Sequence, residues 1–425
     1  MFLRQKNDAA LKLFAILIVY HNMNGIGLSL SLSFLGDVPI CQYGSFDMTA
    51  GRCACFSCVY GEKCDILGNS KTCELDVSIG NPTMFESYWE KHREVSHTVY
   101  PAHHLDYGLH TSSLLENLIR ELHRVVGNAD TKNKYVVIGA GSTALIPAAI
   151  YGLLQAQGTS AVAMHAHAPY YAGYRFIAEL FPGWSWLGGS RAEQKCTTNK
   201  SVPVVELITT PNNPDGQVRY TSDSVSMQIV DHAYYWPTFT GIDHATSYSN
   251  TTVSLFTLSK LTGHASTRIG WALTSSEEVA KAMEKWTFYT QIALSTDAQL
   301  KAITIMAHLV KNHKAFFSSS RARMQERWKR LRTMFNNISK WQLDKTAFDA
   351  TTNDLYASMP NLHPSPAYAW LRHRDKGTAC AILGEANIRS ACGSNYGSAD
   401  SYARLSLLMR DHEFELLLEK LSHLQ

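Results

Sequence analysis

The chain has 425 residues, 45 % of them hydrophobic and 18 % charged, which is an ordinary globular composition with room for two or three domains. Its 39 basic and 36 acidic residues leave a net charge of +3 and form no long block of one sign, so nothing marks nucleic acid or a strongly acidic molecule as a partner. There is no internal repeat and no low-complexity tract.

Residues 1–36 read as targeting sequence. Arg4, Lys6 and Lys12 precede an apolar run at 13–20, and a second apolar run at 26–35 follows His21, Asn22, Met23 and Asn24. The first run suits a signal-peptide core. Together the two are long enough for a signal anchor, although the His and two Asn make a span costly. A cleaved signal is the favoured reading, with membrane contact only if the segment stays as an anchor. Six of the nine cysteines fall between Cys41 and Cys73, which marks residues 37–75 as a small disulfide module of an oxidising compartment. Cys55 and Cys58 form a CxxC, but no His lies from 41 to 73, so zinc is the weaker reading. The expected setting is the secretory pathway: endoplasmic reticulum, vacuole or cell exterior.

From Asp76 the chain changes character. Helices are predicted at 88–97, 114–126 and 144–154, strands at 135–138, 161–164, 204–208, 226–230 and from Val253, and a helical, charged stretch at 287–336. Short strands follow at 367–371 and 403–408. Apolar strands alternating with helices argue an α/β fold with a mostly parallel sheet at about 100–300, and a smaller α+β domain from about 76–99 and 310–425.

The motifs sit at predicted strand ends. Gly139, Gly141 and Ala144 fit a glycine-rich strand–helix turn, but a dinucleotide site wants an acidic residue about twenty positions on, and residues 131–178 contain none. Backbone amides of Gly141, Ser142 and Thr143 still make a phosphate seat. Tyr171 follows a strand and can stack on a ring. Asn213 lies in the turn at 210–216, and Asp231 with Tyr234 follows the next strand. Lys260 ends the strand at Val253, with Thr257, Ser259 and Arg268 suited to a phosphate. A buried amine is costly to keep charged, and an uncharged amine is what a Schiff-base lysine needs. The bland alternatives are a surface lysine, a turn and a helix cap. The order of the parts argues for pyridoxal phosphate (PLP), with Asp231 holding the ring nitrogen protonated. His165 and His167 alternate, but no carboxylate or cysteine is near them in sequence, so they read as structural and no metal is expected.

The runs TTPNNPDG, DHAYYWP, LFTLSKLTGHASTRIGWAL and YARLSL resemble the plant alliinase and tryptophan-aminotransferase-related enzymes from about Cys41 to the end. That family has the fold type I, aspartate aminotransferase-like architecture, and the cysteine region resembles the EGF-like module preceding some members. The resemblance implies three bridges, Cys41 with Cys53, Cys55 with Cys64 and Cys58 with Cys73. It implies that Lys260 binds the cofactor and moves protons and that Asp231 pairs with the ring nitrogen. Tyr234 and Asn213 would meet the phenolic oxygen, and Tyr171 would stack. Gly141, Ser142, Thr143, Thr257, Ser259 and Arg268 would hold the phosphate, with Tyr107 reaching that of a neighbouring subunit, hence a homodimer. Arg404 and the backbone at Gly80 would take the substrate carboxylate. The implied activity is transfer of the amino group of an L-amino acid such as tryptophan to a 2-oxo acid, giving indole-3-pyruvate on the auxin route. The alternative is C–S lysis of S-alkyl cysteine sulfoxides. There are departures. Cys380 matches one partner of the alliinase C-terminal disulfide, but the other position falls near His373, leaving Cys380 to pair with Cys392 or both as thiols. Ala144 stands where a Gln is usual. Three sequons, at Asn199, Asn250 and Asn337, suit a secreted glycoprotein.

Overall fold

The computed structural model describes residues 41–425 except 48–49, 70–71, 97–109, 190–201, 222–226, 247–248, 337, 345–351, 358, 376 and 425. The chain divides into two compact units, one ending at Leu67 and one spanning Gly68–Gln425. The first contains an antiparallel hairpin, Gly44–Asp47 with Arg52–Cys55, and a short pair, Val59–Tyr60 with Ile66–Leu67. Among its described residues only Val59 and Cys64 are buried, too little to fold on apolar burial alone. Disulfides replace the core. Cys41–Cys53 and Cys55–Cys64 are formed as the resemblance implies, and Cys58 and Cys73 are each disulfide-bonded. Gly44 is required beside the second bridge, where a Cβ would lie 2.6 Å from Cys64 Sγ.

The second unit is built on a seven-stranded sheet among the described residues. Its strands are β1 (Tyr135–Gly139), β2 (Val162–His165), β3 (Trp184–Trp186), β4 (Val204–Thr209), β5 (Met227–Asp231), β6 (Thr252–Thr257) and β7 (Gly270–Thr274). The spatial order is β1-β7-β6-β5-β4-β2-β3. Only β7 runs against the rest, so the expectation of a mostly parallel sheet holds with one antiparallel member. Strands β5, β6 and β7 are buried at every residue, as strands covered on both faces must be.

Helix α1 (Ser113–Val126) starts where the Ser112 hydroxyl accepts from Leu115 N (3.4 Å) and stops at Gly127, whose φ of 77° suits a left-handed cap. Its Leu115, Ile119, Leu122 and Val126 share the buried face. Helix α2 (Ser142–Ala156) lies against β5, β6 and β7 and against a later helix, α5 (Glu277–Gln291); between them α3 spans Gly173–Leu180 and α4 Leu258–Thr262. At Gly152 a Cβ would come within 2.9 Å of Val279 O, so glycine lets α2 and α5 approach. The predicted helical stretch at 287–336 is in fact the end of α5 plus α6 (Thr296–Phe335), with Asn312 non-helical inside α6. The predicted helix at 88–97 is a four-residue α-turn, Glu86–Trp89, running into 3-10 helix Glu90–Ser96 with a kink at His92.

A second, antiparallel sheet comprises β8 (Trp341–Leu343), β9 (Tyr368–His373), β10 (Ala391–Cys392) and β11 (Tyr402–Ser406), in the order β8-β9-β11-β10. Helices α7 (Ala379–Glu385) and α8 (Asp411–Ser422) accompany it. Cys380 on α7 is bonded to Cys392 on β10, which settles the open choice for that pair. Cys196 lies outside the described residues. No helix of the described residues is long and apolar enough to cross a membrane.

Candidate active site

The carboxyl ends of β4, β5 and β6 open on a cavity of about 250 Å³, the place where ligands bind in open α/β sheets. Lys260 lines it, though not from a strand: β6 ends at Thr257, and Lys260 is the third residue of α4. The Thr257 hydroxyl caps that helix by accepting from Ser259 N (3.2 Å). The short helix carries the Lys260 amine, half-buried, to donate to Gly80 O. A Cβ on Gly80 would fall 2.0 Å from the Tyr368 hydroxyl, so only glycine fits there.

Asp231 closes β5 and is 5 % exposed. Its Oδ1 accepts from Ala233 N (3.0 Å), and its Oδ2 lies 3.4 Å from the Tyr174 hydroxyl, which is itself 2.7 Å from Thr209 Oγ1. Burial pushes this carboxyl from its ordinary 3.8 up to about 6, against the hydrogen bonds and the Lys260 charge that pull it down. A cationic ring nitrogen beside it would reverse that cost. The turn after β5 is fixed by backbone bonds, His232 N to Leu255 O (2.8 Å) and Asn128 Nδ2 to Tyr235 O (2.7 Å), which set Tyr234 over the cavity.

Tyr234 and Tyr368 hydroxyls are 2.7 Å apart. Burial raises Tyr234 well above its ordinary value. Tyr368 is pushed up by burial too, but Lys260, Arg404 and the Tyr234 hydroxyl together bring it below the usual phenol range. Tyr171 also lines the cavity, edge-on to Tyr174 with ring centroids 5.4 Å apart. Its hydroxyl is raised by burial and partly offset by a hydrogen bond with Thr143. The turn carrying Asn213 is pinned by Asn212, whose Nδ2 donates to Asp215 Oδ1 (2.7 Å) and Pro169 O (2.9 Å).

The anion end is built from backbone and Arg268. Helix α2 begins at Ser142, two residues before the predicted start, so Ser142 and Thr143 occupy its first turn with unsatisfied N–H groups. Gly141 has φ 82°, and a Cβ there would meet Arg268 Nη2 at 2.3 Å. Arg268 itself is left-handed (φ 54°), which turns its guanidinium back to Ala140 O (3.3 Å) and Ala265 O (3.0 Å). Its Nη1 is 3.5 Å from Ser259 Oγ. Among the described residues no carboxylate pairs with Arg268, so its positive charge is available to a phosphate.

Arg404 on β11 is 6 % exposed and likewise meets no carboxylate among the described residues. Nη1 donates to Asn213 Oδ1 (3.0 Å), Nη2 to Ser78 O, and the guanidinium carbon lies 4.2 Å from the Tyr368 ring centroid. Buried Nε has no hydrogen-bond partner among the described residues. A buried guanidinium with an unmet N–H calls for an anion.

These observations fit the proposed cofactor: a cationic cradle for phosphate, a carboxylate for the ring nitrogen, phenol and amide for the ring oxygen, an amine for the aldehyde. The structure brings Gly80, Gly141, Ser142, Thr143, Tyr171, Asn213, Asp231, Tyr234, Thr257, Ser259, Lys260, Arg268 and Arg404 to one place; Tyr107 lies outside the described residues. Tyr368 and Tyr174 were not foreseen. Tyr174 had a local signal, one helical turn after Tyr171. Tyr368 had none, since its role depends on β9 packing from the second sheet. No carboxylate is near His165 and His167 in sequence, but β4 places Glu206 beside them in space, with His167 Nε2 3.5 Å from Glu206 Oε1.

Sheet order and site chemistry together define a PLP-dependent enzyme of fold type I. The solved aspartate aminotransferase of Thermus thermophilus superposes with a TM-score of 0.59 at 16 % identity, covering 83 % of this chain and 92 % of that one, a likeness of fold. The alliinase C-terminal family model, described as "Allinase", matches residues 75–425, and the chain belongs to that family. Among curated relatives it is 32 % identical to tryptophan aminotransferase-related protein 3 of Arabidopsis thaliana, over 87 % of this chain and 82 % of the relative. It is 29 % identical to an alliin lyase of Allium cepa var. aggregatum, over 86 % and 85 %.

Proposed function

We propose that the protein is an aminotransferase that takes the amino group from tryptophan or a similar L-amino acid and passes it to a 2-oxo acid. Bound PLP supplies an electron sink that acidifies the substrate's α-C–H. The chain's groups do the positioning and the proton work. Arg404 clamps the α-carboxylate with a planar fork already oriented by Asn213 and Ser78. Lys260 is the base that takes and returns the α-proton. Asp231 keeps a proton on the ring nitrogen, and the Tyr234–Tyr368 pair, with the amide of Asn213, donates to the ring oxygen. The observation that carries the reading is Arg404, buried, without a carboxylate partner among the described residues and with its Nε unmet there, in the same cavity as the Lys260 amine.

Transfer is favoured over lysis because four aminotransferase-related proteins match at 30–32 % identity. The second reading, C–S lysis of cysteine sulfoxides, has its support in the alliin lyases at 28 % and 29 %. The deciding experiment supplies tryptophan with pyruvate, and separately an S-alkyl cysteine sulfoxide. Indole-3-pyruvate from the first supports transfer. Pyruvate from the sulfoxide with no indole oxo acid from tryptophan would replace it with the lyase.

A homodimer and the secretory pathway belong to the same proposal. Exposed Phe288, Tyr289 and Ile292 at the end of α5 support an apolar contact with a second copy, and light scattering of the purified chain tests it. Disulfides in both units support an oxidising compartment.

A further inference from the structure

Apart from the cofactor cavity, one buried polar row crosses the large sheet. His165 on β2 is directly opposite Glu206 on β4, Glu206 is opposite Gln228 on β5, and Gln228 is opposite Thr252 on β6. Paired residues of parallel strands project on one face, and His167 follows His165 by two, so it returns to that face. Glu206 is 2 % exposed. Among the described residues its carboxylate meets His167 Nε2 (3.5 Å) and Gln228 Nε2 (3.3 Å) but no lysine or arginine. A carboxylate so placed gains from a cation close by.

The geometry points to a site for a divalent first-row transition ion held by His165, His167 and Glu206. One ligand atom from each lies within 4.8 Å of the other two. His165 Nδ1 is 3.2 Å from Gly188 O; a carbonyl only accepts, so Nδ1 carries the proton and Nε2 carries the lone pair. That is the outer hydrogen bond that orients a metal-binding imidazole. Gln228 does the same for the carboxylate, holding its second oxygen. Two imidazoles and a carboxylate make a borderline donor set, suited to zinc and its neighbours and leaving one position open. The His167 side chain, 44 % exposed, gives the ion a way in.

The site is roughly 10 Å from the cofactor cavity, since Glu206 precedes the cavity residue Thr209 by three positions of strand. It is nevertheless joined to that cavity. Arg219 Nη1 donates to His167 O (2.5 Å) and Asn212 Nδ2 to Pro169 O (2.9 Å), so an ion would brace the segment leading to Tyr171. The other triad, His92, Glu94 and His308, is a poorer candidate: its carboxylate belongs to the exposed Glu94, where Glu206 is buried.

The test uses the full, tag-free holoenzyme stripped with a chelator. Zn²⁺ binding is measured by calorimetry, and Co²⁺ is added to read ligand type from its visible spectrum. One ion per chain is expected, with a raised thermal midpoint. His167→Ala and Glu206→Gln should each weaken binding about tenfold or more, while His92→Ala leaves it unchanged. His167 is half-exposed, so its variant keeps the fold if Glu206→Gln does not. Absence of Zn²⁺ binding, binding unaltered in His167→Ala, or binding abolished by His92→Ala would overturn the proposal.

Discussion

Replacing Asp231 by Asn should stabilise the cofactor-free protein at alkaline pH and weaken the loaded one. Burial raises this carboxyl from 3.8 to about 6. The sign follows from linkage: between those values the folded state binds a proton that the unfolded state does not, so stability is lost as pH rises through the window. Below about 3.8 the cost is absent; above about 6 it is complete. At about 1.36 kcal/mol per pH unit the full cost is roughly 3 kcal/mol. Asn keeps an oxygen to accept from Ala233 N and carries no charge, so the cost disappears. The assay is thermal unfolding of both apo proteins from pH 4 to pH 8. Their midpoints should nearly coincide at the acid end, and the variant should melt higher at pH 8. PLP should then reverse the order, because a protonated ring nitrogen gains from a carboxylate and not from an amide. A variant no more stable than wild type at pH 8 without cofactor would refute the claim that Asp231 is strained until the cofactor arrives.

Three further outcomes are expected. Arg404→Lys keeps the charge but loses the fork held by Asn213 and Ser78; KM for the amino acid should rise by about 10- to 100-fold, from hydrogen bonds to a charged group worth about 1.5–3 kcal/mol, with cofactor absorbance unchanged. Gly141→Ala places a Cβ against Arg268 at a φ of 82°; cofactor affinity measured by fluorescence quenching should fall, while kcat at saturating PLP changes little. The double variant Cys380→Ser, Cys392→Ser removes a bridge of sequence separation 12 and should cost roughly 2–3 kcal/mol, read as a lower thermal midpoint than oxidised wild type.

Much of the site was legible because PLP chemistry demands few residue types, several of them just past a strand. Lys260, Asp231 and the Gly139–Thr143 turn follow apolar runs that suit a buried strand, and Arg404 was found through the family motif. Element edges were less legible. Periodicity could not show that β6 stops at Thr257, because Leu258 and Leu261 continue the apolar pattern into α4. Contacts between distant segments were not legible at all. Tyr368 depends on the second sheet meeting the first, and Glu206 beside His165 depends on β4 being the neighbour of β2, a pairing that strand composition does not encode. The bond between Cys380 and Cys392 was likewise left open, since spacing alone does not decide between a bridge and two thiols.

The most direct test of the central claim is to purify the protein with PLP, reduce it with borohydride and locate the trapped cofactor by peptide mass. The account predicts a pyridoxyl group on Lys260 and, in Lys260→Ala, loss of both the adduct and the visible absorbance band. A colourless protein, or an adduct on another lysine while Lys260 remains unmodified, would contradict it.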